Sequence, residues 1–274
     1  MKDYPTKNNY VKADIACAQK VMLEILKEVD RICNIYKIKY FLSDGTLLGA
    51  VRHQGFIPWD DDLDISMLRK DYDKFKEIAP KELSRKFFFQ TSATDKYYDI
   101  YHIPLKIRDN NSLIIEQKGK KYHQGLYIDI FPIDKVPQGK IKTNIQKLLG
   151  NLWTLKLPMD VKDFPKPKFF VRSAMQIIGF MIPAKSISKL QLSTLRWNEE
   201  SKGDIYSYGV ELTWKTLYKK QDLFPLKKVK FQGEYFWVPN NPHNILANIY
   251  GDYMTLPPVE ERRVHGLEMY VKIQ

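Results

Sequence analysis

Apolar residues at Ile15, Ala18, Met22, Ile25, Val29, Ile32 and Tyr36 step alternately by three and four positions, the stripe of an amphipathic helix. This predicts a helix over about residues 12 to 36. The short aromatic stretch Lys39-Tyr40-Phe41-Leu42-Ser43, then Asp44-Gly45-Thr46 and Leu47-Leu48-Gly49-Ala50-Val51, read as strand, turn and short helix. After Gly55 and Pro58 comes the acidic run Asp60-Asp61-Asp62-Leu63-Asp64, which opens a segment ending Leu63-Asp64-Ile65-Ser66-Met67 that alternates as a half-buried strand does. A helix from about Lys70 to Ala79 is expected to halt at Pro80, with strands at Phe87–Thr91, Ile103–Arg108 and Gly125–Phe131.

From Lys140 the pattern turns helical and basic, through Ile141–Leu155, Phe169–Ala184 and Ser186–Glu199. Short strands follow around Val229–Val238, and Asn240-Asn241-Pro242 marks a helix start before Ile245–Tyr250. The expectation is an α+β fold: a mixed sheet flanked by helices, with an additional helical accessory region. One catalytic domain is expected over residues 1–274, with a core over about 12–138 and the accessory and C-terminal region over about 139–274.

Hydrophobic residues at 44% and charged residues at 28% are ordinary globular usage, which argues against disorder and fibrous architectures. Lys and Arg outnumber Asp and Glu by 44 to 32, a formal +12 that favours an anionic partner. Nucleic acid, an anionic membrane and phosphorylated small molecules all fit that sign. The basic residues are scattered rather than gathered in a stripe with stacking aromatics, so nucleic acid is set aside. Cys17 and Cys33 fall 16 residues apart in one predicted helix, or about 24 Å, which is beyond disulfide reach. They read as buried thiols in a reducing compartment.

The start MKDYPTKNNYVKAD has no apolar core of a secretory signal, so a cytoplasmic location is expected. No stretch approaches the roughly 20 apolar residues of a bilayer span. The nearest, Phe169–Ala184, contains Arg172 and follows Lys162, Lys166 and Lys168. Two readings of it stand: a buried helix, or a helix lying in the interface of an anionic membrane, which would place the chain peripherally on the inner face of the plasma membrane.

Asp60, Asp62 and Asp64 are each two apart, and on a strand such residues project from one face about 6.6–6.8 Å apart, with Asp61 pointing the other way. Carboxylates so arranged repel unless a cation sits among them. Mg²⁺, or Mn²⁺ in its place, is the natural occupant, because Mg²⁺ takes one or two carboxylates plus substrate phosphates. A solvated acidic loop is the competing reading. Against it, Ile57, Pro58, Trp59, Leu63 and Ile65 embed the run in apolar sequence. An EF-hand is excluded by Ile65, which stands where that loop needs glycine. Gly45-Thr46 would offer backbone N–H groups and a hydroxyl to a phosphate at a helix start. Asp129, alone in the apolar segment Gly125–Pro132, is costly to bury without a metal or cation partner.

The stretch Leu48-Gly49-Ala50-Val51-Arg52-His53-Gln54-Gly55-Phe56-Ile57-Pro58-Trp59-Asp60-Asp61-Asp62-Leu63-Asp64-Ile65 resembles the signature of the LicD/fukutin family. Lys106-Ile107-Arg108, Asp129-Ile130-Phe131-Pro132 and Tyr250-Gly251-Asp252-Tyr253-Met254-Thr255-Leu256-Pro257-Pro258 agree with it. The resemblance implies a nucleotidyltransferase-like fold in which Asp62 and Asp64 are the paired metal ligands. Asp129 would be the third carboxylate on a neighbouring strand, and Asp60 would bind a second ion or the substrate.

Members of this family transfer an alcohol phosphate, such as phosphocholine, glycerol phosphate or ribitol phosphate. The donor is CDP-linked, and the acceptor is a cell-surface glycan precursor of teichoic acid, lipopolysaccharide or capsule. Zinc-binding cysteines of some animal relatives have no counterpart here, which argues for the compact bacterial form. On this basis Asp129 is the candidate base. Lys106, Arg108 and Arg52 are either phosphate contacts or surface cations, and His53 is either a ligand contact or a packed residue. Tyr250 and Tyr253 either face the donor or belong to the core, and Arg262, Arg263 and His265 either grip a phosphate or form a basic tail. A glycosyltransferase built on Asp62-Leu63-Asp64, and a non-catalytic basic protein that binds membranes or polymers, remain as alternatives.

Overall fold

Helix α1 spans Ile15–Tyr36, and its buried residues Ala18, Met22, Ile25, Leu26, Val29, Ile32 and Cys33 follow the expected stripe. It begins three residues later than expected because Tyr10–Lys12 pairs as strand β1. Asp14 then caps the helix, its carboxylate accepting from Cys17 N at 2.7 Å. Lys37, at φ 55, ends it with its N–H turned back to the carbonyls of Cys33 and Asn34. The structure, a computed structural model, describes residues 9–98, 103–116, 120–154, 181–212, 216–262, 264, 266 and 268–273. It forms two compact units, Met1–Pro132 with Gln221–Gln274, and Ile133–Lys220.

In the first unit α1 is followed by β2 (Phe41–Leu42), α2 (Asp44–His53), β3 (Asp64–Leu68), α3 (Arg69–Glu82), β4 (Phe87–Gln90), β5 (Lys106–Asp109), β6 (Ser112–Ile115) and β7 (Tyr127–Lys135). The main sheet runs β2-β3-β7-β5-β4. Strand β2 is antiparallel to β3, and β5 is antiparallel to both β4 and β7. The register sets Lys106 opposite Asp129 and Arg108 opposite Tyr127. Asp129 N donates to Leu63 O at 2.8 Å, so the middle of β7 meets the chain just before β3. This is the expected α+β architecture with a mixed sheet.

Two of the expected boundaries move for local reasons. Helix α3 runs through Pro80 to Glu82, closing with Leu83 N on Ala79 O. A proline in the last turn removes one amide where little helix is left to disrupt. Strand β5 begins at Lys106 rather than Ile103, after Pro104, which cannot donate to a ladder. Strand β6 was not expected. It joins β1 and the late β12 (Glu268–Lys272) in a second antiparallel sheet ordered β1-β12-β6, a pairing between chain ends that local pattern does not announce. The expected late strands form the hairpin β10 (Lys227–Phe231) and β11 (Glu234–Val238). It turns through Gln232 at φ 50 and Gly233 at φ 86, the left-handed pair that a tight hairpin requires. Helix α8 (Pro242–Tyr250) starts as its sequence signal says, with Asn241 accepting from Asn244 N and Pro242 in the first turn.

In the second unit the end of β7, Ile133–Lys135, pairs with β8 (Ile205–Tyr208), which pairs with β9 (Leu217–Lys219). The expected helices appear as α4 (Lys140–Thr154), α5 (Ala184–Ser193) and α6 (Leu195–Glu199); the short α7 (Lys220–Leu223) straddles the boundary of the units. The helix expected over Ser186–Glu199 is broken at Thr194 into α5 and α6, and the Thr194 hydroxyl turns back to Gln191 O. Buried Gln146 donates to Thr194 Oγ1 at 2.9 Å and to Asn198 Oδ1 at 2.6 Å, fastening α4 to that corner. The helix expected at Phe169–Ala184 lies for the most part outside the described residues. Among the described residues no helix is long and apolar enough to cross a membrane.

Gly49 of α2 lies directly against the loop that leads into the acidic run. A Cβ there would lie 2.5 Å from Gly55 O and 3.2 Å from Ile57 N. Gly49→Ala is expected to destabilise by roughly 1–3 kcal/mol, because backbone must move to admit the methyl group. Urea unfolding reads this directly, and an unchanged midpoint would contradict the contact.

Candidate active site

The acidic run is a turn before it is a strand. Asp60 N donates to Ile57 O at 2.9 Å. Gln19, reaching from α1, donates to Ile57 O at 3.0 Å and Asp60 O at 2.9 Å. Strand β3 begins only at Asp64. The expectation that Asp60, Asp62 and Asp64 alternate along one strand is therefore corrected: the backbone of 57–60 bonds to its own turn and to α1 rather than to a strand neighbour.

The charges of the carboxylates nevertheless act on one of their number. Asp64 is buried, and its carboxyl is held well above the usual range by that burial and then by the negative charges of Asp62, Asp44, Asp129 and Asp60. Its backbone N donates to Thr46 Oγ1 at 2.8 Å, and its carbonyl accepts from Ser43 N at 3.1 Å, which pins the start of β3 to the start of α2. Gly45-Thr46 thus lies in the first turn of α2, whose N-cap Ser43 makes no side-chain cap bond. A Cβ on Gly45 would stand 3.2 Å from Asp60 Oδ2, so the missing side chain is what lets that carboxylate approach the helix. Asp44 opens the helix at φ 48, in the left-handed region that non-glycine residues seldom occupy.

Behind the cluster, β5 supplies two fully buried cations. Lys106 Nζ donates to Asp129 Oδ1 at 2.6 Å and lies 3.4 Å from the centre of the Tyr127 ring. Burial pushes Asp129 up to about 6, against the pull of Lys106. Arg108 is wholly enclosed: it donates to Gln90 Oε1, to Gly125 O at 2.8 Å and to Glu116 Oε2 at 3.2 Å. Glu116 also accepts from the Tyr127 hydroxyl at 3.0 Å. Lys106 thus meets the cluster through Asp129, whereas Arg108 braces β4, β5 and the strand entry at Gly125.

The C-terminal block lies against the same turn. Arg52 donates through Nη1 to Tyr253 O at 2.6 Å and through Nε to His53 Nε2 at 3.0 Å. Burial and then the Arg52 charge hold His53 below the ordinary imidazole range, so it serves as a neutral acceptor. The Arg262 guanidinium sits 4.1 Å above the Trp59 ring. Buried Asp61 accepts from Gly266 N at 2.6 Å, so the one acid of the run expected to point away joins the turn to the chain leading into β12. Arg263 and His265 lie outside the described residues. Tyr253 is buried and paired with His243. Tyr250 is 43% exposed, and enclosure of its hydroxyl followed by the charges of Asp44, Asp64, Asp60 and Asp62 raises its pKa, so it borders the cluster.

Two participants carried no sequence signal strong enough to single them out. Gln19 is a polar residue in an amphipathic helix, and Glu116 follows an unexpected strand. Asp44 could have been found, as an acid immediately before the Gly45-Thr46 helix start.

Among the described residues no group of three or more His, Cys, Asp or Glu side chains converges as a ready-made metal cage. The donor chemistry still fits a hard divalent ion. Mg²⁺ is commonly held by one or two carboxylates and completed by substrate phosphate and water, and buried Asp64, in the negative field of Asp62, Asp44, Asp129 and Asp60, is a donor of that kind.

The raised pKa of Asp64 has a definite sign. The folded state holds that proton more tightly than the unfolded chain, so this contribution to stability is present at low pH and is lost as pH rises from about 4 through the folded pKa. In chelator-treated protein, Asp64→Asn should melt a few degrees above the parent at pH 7.5, with the gap closing toward pH 4. A variant that melts lower at pH 7.5 would contradict the electrostatic reading.

Residues 37–185 match the family described as LicD/FKTN/FKRP, nucleotidyltransferase domain. The chain is 32% identical over 260 residues to the lipopolysaccharide cholinephosphotransferase LicD of Haemophilus influenzae, covering 91% of this chain and 95% of that protein. It is 24% identical over 105 residues to the ribitol 5-phosphate transferase FKRP of Mus musculus, covering 36% of this chain and 20% of that protein. The corresponding match to FKRP of Homo sapiens is 30% over 66 residues, 24% of this chain and 13% of that protein. Because the family match takes in both the acidic run and Asp129, and the Haemophilus likeness extends along nearly the full length, the chain belongs to the LicD/fukutin family of phosphotransferases.

Proposed function

We propose that the chain transfers an alcohol phosphate from a CDP-linked donor to a hydroxyl of a cell-surface glycan precursor, with phosphocholine as the first candidate and glycerol or ribitol phosphate as the others. The single observation that carries this reading is that buried Asp64 stands in the negative field of Asp62, Asp44, Asp129 and Asp60. Such a cluster is a liability for folding and an asset for binding a cation with a diphosphate. The near full-length likeness to a lipopolysaccharide cholinephosphotransferase supports phosphocholine, and lipopolysaccharide ahead of teichoic acid or capsule, as the acceptor class. A nucleotidyltransferase-like sheet is part of the proposal, supported by the family match.

In this reading Asp62 and Asp64 hold Mg²⁺, or Mn²⁺ in its place, with Asp60 beside them. The ion supplies neutralisation of the donor diphosphate. Asp129 accepts the proton of the attacking glycan hydroxyl. With a pKa of about 6 it is ionised at neutral pH and still basic enough for the task. Lys106 keeps that carboxylate oriented through its 2.6 Å bond. The first turn of α2, at Gly45-Thr46, offers backbone amides to a donor phosphate. Tyr250 presents a half-exposed ring at the edge of the cluster to the donor base or the alcohol.

The test is release of CMP from CDP-choline, CDP-glycerol and CDP-ribitol with a lipopolysaccharide acceptor, with UDP-sugars as the control for a glycosyltransferase. Asp62→Asn is expected to lower turnover roughly a hundredfold or more, since several kcal/mol of charge stabilisation disappear. Its melting temperature should be unchanged or higher. Turnover of UDP-sugars alone, or full CMP release by Asp62→Asn, would overturn the proposal.

A further inference from the structure

The net charge of the chain is unevenly shared between its two units. Residues 133–220 hold 16 Lys or Arg against 7 Asp or Glu, a net +9 out of +12 for the whole chain. The carboxylate cluster belongs entirely to the other unit. Within the basic unit, α4 exposes Ile141, Ile145 and Leu148, at 77%, 38% and 62% of their surface. Spaced by four and then three, they share one helical face. Lys140 and Lys147, both exposed, flank that face. Gln146 and Leu149, by contrast, are buried, and Gln146 is fastened to Thr194 and Asn198. The stripe is thus separate from the side by which α4 is packed.

We propose that this face of α4 docks on an anionic lipid surface. An apolar stripe lodged at the boundary of headgroups and acyl chains, with lysines on its flank, is the arrangement by which a helix lies in a membrane interface. A net +9 unit adds long-range attraction to anionic headgroups. The same charge opposes the obvious competitor, a second copy of this chain docked stripe to stripe, because two strongly basic units would face each other. A soluble anionic polymer would satisfy the lysines but leave the isoleucines and leucine in water. The proposal is independent of the transfer reaction, and either stands if the other fails.

Flotation of the full chain with phosphatidylglycerol–phosphatidylcholine vesicles tests it, against vesicles of phosphatidylcholine alone. Binding to the anionic vesicles should be roughly tenfold tighter and should weaken with salt. The variant Ile141→Ser/Ile145→Ser/Leu148→Ser removes the stripe without changing charge and should lose roughly tenfold in vesicle binding, while its melting temperature and CMP release with a soluble acceptor stay unchanged. Lys140→Gln/Lys147→Gln, which spares the stripe, should weaken binding to anionic vesicles only. No binding to anionic vesicles would overturn the proposal. So would undiminished binding by the triple serine variant, which would mark a purely ionic attachment, or a dimer seen by sedimentation that the serine variant abolishes.

Discussion

The constraint on which the site depends is the burial of one carboxylate in the negative field of four others. Asp64 has lost water and gained like charges, and nothing about that placement favours folding by itself. It persists because the surrounding backbone is tied down at every approach. Thr46 accepts the Asp64 amide, Ser43 donates to its carbonyl, Gln19 takes up the carbonyls of the preceding turn, and Asp129 N reaches Leu63 O from β7. The ties are neutral hydrogen bonds made by three different elements, so the turn cannot relax away from the repulsion without breaking contacts to α1, α2 or β7.

The cations near the site fall into two classes, and that division shapes its chemistry. Lys106 reaches Asp129 and partly offsets its burial, leaving a carboxylate whose pKa lies within reach of neutrality. Arg108 and Arg52 spend their donors on carbonyls and on neighbouring side chains, Arg108 inside the sheet and Arg52 on the C-terminal segment. The fold thus assembles a negative centre around Asp64 and supports one member of it, Asp129, with a lysine.

Much of this was legible in the chain. The three-and-four spacing of α1, the Asn241-Pro242 helix start and the apolar setting of Asp129 report local physics that tertiary structure did not override. The resemblance to a known family points to the acids from the sequence alone. Strict alternation failed at Asp60–Leu63, because a side-chain amide on a helix 41 positions away decides where that backbone turns. Pro80 misled because the rule against proline weakens in a final turn. The β1-β12-β6 sheet and the Asp61–Gly266 bond join residues that stand far apart in the chain, and no local pattern encodes such pairings.

If the cluster is a site for a divalent ion held jointly with a donor diphosphate, the two ligands must stabilise the fold together. The direct measurement is the melting temperature with Mg²⁺ alone, CDP-choline alone and both, for the parent chain and for Asp64→Asn. Linkage requires the joint rise in the parent to exceed the sum of the separate rises, and the excess should vanish in Asp64→Asn. An equal joint rise in the variant, or none in the parent, would contradict the assignment of this cluster as the catalytic centre.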